Sequence, residues 1–133
     1  MNTNYLQAIS ALLLSTSPEK AVCRIAELAV SSRFSGQQRL ALSAVLHLGL
    51  PENISVELIN TCFERMLSPK SPTAVQALSM KLLFAFCQRE PDFKQELKAC
   101  LSSVDIENYS VGFKTVRKNI LRELGEGGKG RCR

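Results

Sequence analysis

The chain of 133 residues is 45% hydrophobic and 22% charged, carries no tryptophan and has a formal net charge of +5. That length suits one domain with a substantial core, and the composition excludes a wholly disordered or collagen-like chain. Helix formers dominate and Val, Ile and Thr do not alternate at strand spacing, so the expected class is all-α.

Helix starts are legible because proline and small hydroxyl residues recur where N-termini need them. Asn4 with Gln7 opens a first helix ending near Ser15. Its segment "LQAISALLLSTS" has a short apolar run, but no positive side chain among residues 1–5, and reads as a helix, not a leader. In "SPEKAV", Ser17 is an N-cap, Pro18 takes the first helical position and Glu19 suits the positive end of the dipole. This second helix runs to Ser32. Ser35 and Gln38 have capping-box spacing for a third, which Gly49 and Pro51 stop. The fourth starts at Ser55 and ends before Pro69. Ser71 and Pro72 open the fifth, which ends near Arg89. Pro91 and Asp92 begin the sixth, which fades at Ser102; after the loop "SVDIENY", Ser110 opens the seventh, ending before Gly125. Residues 1–124 thus form one helical domain and 125–133 a flexible, glycine-rich basic tail.

The fifth helix, "AVQALSMKLLFAFCQ", lacks a clean wet face: between Leu78 and Cys87 only Ser79 and Lys81 are polar. One apolar stripe suffices for a helix on the surface of a bundle. A helix apolar on most sides needs neighbours on most sides, and the third helix, with Leu40, Leu42, Val45, Leu46 and Leu48, reads the same way. The apolar helices beginning at Arg39, Val75 and Phe113 lie 36 and then 38 residues apart, with more amphipathic helices between them. Such an alternation is what stacked helical hairpins require, since each buries its face against the next. A compact orthogonal helical bundle is the alternative architecture.

Across residues 17–124, the paired starts "SPEKAV" and "SPTAVQALSMKLL", with "QQRLALSAVLHLG" and "REPDFKQELKACL", resemble the HEAT-like and armadillo-like superhelical repeats. The resemblance implies a short α-solenoid of about seven helices in antiparallel hairpins, acting as a binding scaffold without catalysis. The chain departs from the repeat consensus in having no regular aspartate and basic residue at its intra-repeat turns.

Residues that could carry chemistry are sparse. Cys23, Cys62, Cys87, Cys100 and Cys132 are widely spaced and contain no CxxC pair, which argues against a zinc site or a disulfide framework. The first four fall among apolar residues and read as core thiols, reduced in a cytoplasmic setting. The one histidine, His47, lies at a helix end; Asp105 and Glu107 sit on a loop that Tyr109 would anchor. Neither suggests a catalytic group. "GEGGKG" follows a helix instead of preceding one, so it is no phosphate loop. The reading is therefore no cofactor, no metal, no enzymatic activity and no small-molecule substrate. No stretch reaches the ~20 apolar residues of a membrane span.

Charge is unevenly placed. Residues 1–107 hold ten Lys or Arg against ten Asp or Glu, whereas the last 26 hold seven against two, which is the whole excess. Lys114, Arg117, Lys118 and Arg122 fall on one side of the seventh helix, opposite Phe113, Val116, Ile120 and Leu124. These four are the candidate contacts for an anionic partner. The leading functional reading is a scaffold for a protein or peptide. The second is nucleic-acid binding through this helix and tail, as in HEAT-like DNA repair proteins. An enzyme acting on alkylated DNA ranks last, because it would want aromatic residues beside a basic groove to hold bases.

Overall fold

A computed structural model describes residues 7, 9–11 and 17–126, and every regular element among them is helical. Residues 7 and 9–11 belong to the first predicted helix, α1; the rest of that prediction lies outside the described residues. Then follow α2 (Pro18–Ser31), α3 (Ser35–Leu48), α4 (Val56–Leu67) and α5 (Thr73–Arg89). A 3-10 turn at Pro91–Phe93 leads into α6 (Lys94–Ser103), and a second at Ile106–Asn108 precedes α7 (Val111–Leu121). Arg122–Glu126 continue α7 as a π-helical turn, and the rest of the predicted tail lies outside the described residues.

Caps set several boundaries. Ser17, Ser55 and Ser110 each accept a hydrogen bond from the backbone N–H three residues on, as the sequence predicts. Gly49 ends α3 with φ +97°, a conformation that disfavours any residue with a Cβ. Two predicted caps differ. Phe34 precedes α3 and Pro72 precedes α5, neither with a side-chain cap bond. Gln38 turns its amide onto the Ser32 carbonyl at 2.9 Å, and Ser71 falls one residue outside the cap position. The Gln38 amide thus serves the α2–α3 turn instead of its own helix end.

The helices pair as hairpins: α2 with α3, α4 with α5, α6 with α7. The second helices form one layer, α3 on α5 and α5 on α7, while α2 packs on α4 behind them. Among the described residues no substantial contact joins the first hairpin to the third. Contact restricted to adjacent hairpins is the property of a short solenoid and excludes the compact orthogonal bundle.

The central helix α5 touches α3, α4, α6 and α7, which explains its composition. Val75, Met80, Leu82, Leu83 and Cys87 are completely buried. Along its axis Ala74, Lys81 and Gln88 are exposed at seven-residue steps, a single-file wet stripe. Gln76 is buried too and donates its amide to the Ser68 carbonyl at 2.7 Å. The expectation that α3 is equally enclosed is not met. Only Ala41, Leu42 and Val45 are buried in it, and Leu48 is exposed, since among the described elements α3 packs on α2 and α5 alone.

Polar side chains lock one hairpin to the next. Arg65 of α4 donates to the carbonyls of Ala29, Val30 and Ser32 at the end of α2. Arg89 of α5 donates to those of Leu50 and Pro51 after α3. A guanidinium fork satisfies carbonyls that a helix end leaves open and sits favourably at the negative end of its dipole. Arg33 and Lys70 sit in the intra-repeat turns, but the guanidinium bonds that close the first hairpin's carbonyls come from the next hairpin. Tyr109 donates its hydroxyl to the Leu67 carbonyl at 2.5 Å and stacks on Phe113 with ring centroids 4.2 Å apart, the anchoring role expected of it.

Candidate functional site: a basic groove between α6 and α7

The groove follows from how two amphipathic helices meet. Leu97 and Leu101 of α6 and Phe113 and Ile120 of α7 are the buried side chains that turn these helices towards the core. Residues one position further round each helix then face one another across the open side of the hairpin. On α6 these are Lys98 and Ser102; on α7 they are Lys114 and Leu121, with Arg117, Lys118 and Arg122 flanking them. Ile106 from the 3-10 turn closes one end and Gly125 the other, around a volume of about 650 Å³.

All four cations predicted from the sequence therefore share one concave surface, and α6 adds a fifth, Lys98. Among the described residues the groove lining contains no carboxylate. By contrast, a smaller hollow on α2 is lined by both Arg24 and Glu27, one charge of each sign. The five cations are not equivalent. Arg117 is half-buried and donates Nε to the Leu101 carbonyl at 2.8 Å, so it ties α7 to the end of α6 as well as facing the groove. Arg122 reaches Asn119 Oδ1 at 3.3 Å. Among the described residues the ammonium groups of Lys98, Lys114 and Lys118 make no hydrogen bond, and Lys118 is exposed. Three point charges and two forks present many donors and, among the described residues, no lining carboxylate to accept them.

Lys98 is the residue sequence reasoning missed. Its signal was present: it directly follows Leu97, a core position of an amphipathic helix, so it had to lie beside the core stripe. Only the docking of α6 on α7 decides that the side it occupies faces the groove, where its ammonium lies beside Gly125.

The other residues singled out in the sequence lie elsewhere. His47 is exposed in the last turn of α3. The Asp105 carboxylate caps its own turn, accepting from the Glu107 N–H at 3.3 Å and the Asn108 amide at 3.4 Å. Cys62 and Cys87 are buried and free. Burial pushes the Cys62 thiol up to about 12, although Arg65 and the Ser79 hydroxyl favour the thiolate, and it pushes Cys87 up to about 11. Cys23 and Cys100 are half-buried, and both are raised, first by desolvation and then by nearby Glu19 and Glu96 respectively. Cys132 lies outside the described residues. Among the described residues no three His, Cys, Asp or Glu side chains gather as a metal site would need.

Hairpins that pack on their neighbours in two layers, at a repeat near that of the sequence, narrow the family. A family model described as a HEAT repeat domain matches residues 16–124. The chain belongs to the HEAT repeat family. Comparison with curated proteins and with solved structures returns no match. In HEAT repeat terms α2–α3, α4–α5 and α6–α7 are successive hairpins, and the groove lies within the last of those described. No described helix is long and apolar enough to cross a membrane.

Proposed function

We propose that this HEAT repeat domain is a non-enzymatic scaffold that binds a protein or peptide partner through the α6–α7 groove. The observation that carries the reading is the convergence of Lys98, Lys114, Arg117, Lys118 and Arg122 on one concave surface with no lining carboxylate among the described residues. A solvated face needs charge, but not charge of one sign gathered in a hollow. Like charges held together are unfavourable unless an anion relieves them. The raised thiols of Cys62 and Cys87 and the isolated position of His47 support a binding role over catalysis. Four free thiols suit a reducing compartment such as the cytoplasm.

Nucleic acid is the second reading, favoured by the basic stripe and by Lys129, Arg131 and Arg133 of the tail. Against it, among the described residues no aromatic side chain lines the groove on which a base could stack. Affinity capture from a native lysate, with and without nuclease, separates the two when run beside the double reversal Lys114→Glu/Lys118→Glu. The expected result is a set of proteins that survives nuclease and is lost with the reversal. Capture abolished by nuclease would move the assignment to nucleic acid, and capture indifferent to the reversal would move the binding surface elsewhere.

A further inference from the structure

Building on the scaffold reading, we infer that the groove seats an acidic peptide segment in extended conformation, with carboxylates at alternate positions. The argument starts from spacing. Lys114, Lys118 and Arg122 follow one another at four-residue intervals along α7 and into the first residue of the turn that continues it, a rise of about 6 Å per step. An extended chain returns a side chain to the same face every two residues, about 6.6 Å. Acidic residues at i, i+2 and i+4 of such a chain therefore meet the three cations in register over about 12 Å, whereas consecutive acidic residues send every second carboxylate to the opposite side. A helical ligand would place same-face groups at a similar spacing, but a helix with its side chains is about 10 Å or more across. A groove of about 650 Å³ bounded by two adjacent helices suits a single extended strand better.

The opposite wall adds a second element of recognition. Lys98 and Ser102 of α6 offer an ammonium and a hydroxyl, so the intervening side chains of the segment meet a less densely charged wall. Ile106, which is 39% exposed, at one end and Leu121 on the α7 wall are the groove's apolar side chains, each able to meet an aliphatic side chain. This combination of cations at every second extended position, one hydroxyl and two aliphatic side chains, without aromatic rings among the described residues, matches a mixed acidic and aliphatic peptide. It does not match the stacked bases of a nucleic acid.

The test uses the full chain and three fluorescent probes of equal charge: a nine-residue peptide with glutamate alternating with leucine or serine, an isomer of the same composition with its glutamates contiguous, and a single-stranded oligonucleotide. The alternating peptide should bind at low salt at least about tenfold tighter than its isomer and weaken as salt screens the contacts. Lys98→Ala and Lys118→Ala should each weaken it by up to about fivefold, the range of one exposed ion pair. Circular dichroism confirms that these surface variants remain folded. Equal affinity for the two peptides overturns the register argument. Tighter binding of the oligonucleotide overturns the peptide assignment. No peptide binding at low salt overturns the inference while leaving the scaffold reading standing, provided that reversal-sensitive capture of proteins from lysate persists.

Discussion

Truncating Leu82 to alanine should test the central position of α5 more severely than any other single change. The side chain is completely buried, on a helix covered by α3, α4, α6 and α7. The substitution forfeits the transfer free energy of the lost methyl and methylene groups and leaves a cavity that four supporting helices cannot collapse into together. A loss of about 3 to 5 kcal/mol is expected, a large part of the ~5 to 15 kcal/mol that holds a domain folded. Phe86→Ala should cost less, about 2 to 3 kcal/mol. Its ring is half-buried and meets Phe93 edge-on, with centroids 4.9 Å apart, while Phe93 in turn meets Phe63 at 5.5 Å. Leu48→Ala on α3 supplies the contrast, because that side chain is 39% exposed, and its cost should stay below about 1 kcal/mol. With a urea m-value of about 2 kcal/mol per molar, the Leu82 variant should unfold about 2 M earlier than the parent, with the slope unchanged. A midpoint within a few tenths of a molar of the parent's, or a Leu48 variant as damaged as the Leu82 one, would refute the reasoning that burial on four sides dictates the composition of α5.

Gly112→Ala would normally strengthen a helix by up to ~1 kcal/mol, yet here a Cβ would come within 2.8 Å of Thr73 Cγ2. Melting should show destabilisation that Thr73→Ser relieves, and stabilisation by the single change would mean the two N-termini approach less closely. Arg65→Met keeps the aliphatic stem but removes the guanidinium from the Ala29, Val30 and Ser32 carbonyls at the end of α2, of which Ser32 keeps its bond from Gln38; a loss of about 2 to 3 kcal/mol is expected, only partly recovered by lysine, which has no fork. Denaturation midpoints of the three proteins decide this, with lysine equal to arginine as the contrary outcome. The Cys62 thiol gives a pH dependence, because its folded value is raised to about 12 from an ordinary 9.0. The unfolded chain releases that proton first, so the contribution is complete below about pH 9 and is lost as pH rises towards about 12, by up to about 4 kcal/mol in all and about 2 kcal/mol by about pH 10.5. Urea midpoints at about pH 8 and about pH 10.5 should fall further apart for the parent than for Cys62→Ala; equal shifts would show the thiol to be solvated.

The repeat and the helix count follow from the sequence by itself because both rest on local signals. Ser17, Ser55 and Ser110 bond to backbone within their own first turn, and Gly49 adopts a conformation closed to most residues, so neither needs a neighbour to be recognised. The apolar periodicity of α5 is likewise a one-dimensional record of burial. What the sequence could not separate was α5 from α3, which carry similar residues; burial depends on how many helices arrive from elsewhere in the chain, and α5 receives more of them. Gln38 was misjudged for a related reason, since a side chain that can cap its own helix can also satisfy the Ser32 carbonyl, and the closing of the α2–α3 turn decides between them. At the groove, the cationic stripe on α7 was legible because four side chains at helical spacing share one face whatever surrounds them. That this face lies opposite Lys98 instead of open water was settled only by tertiary structure. Position along a helix comes from the backbone's regular twist, but what a face meets is determined by long-range packing, and no local spacing encodes that.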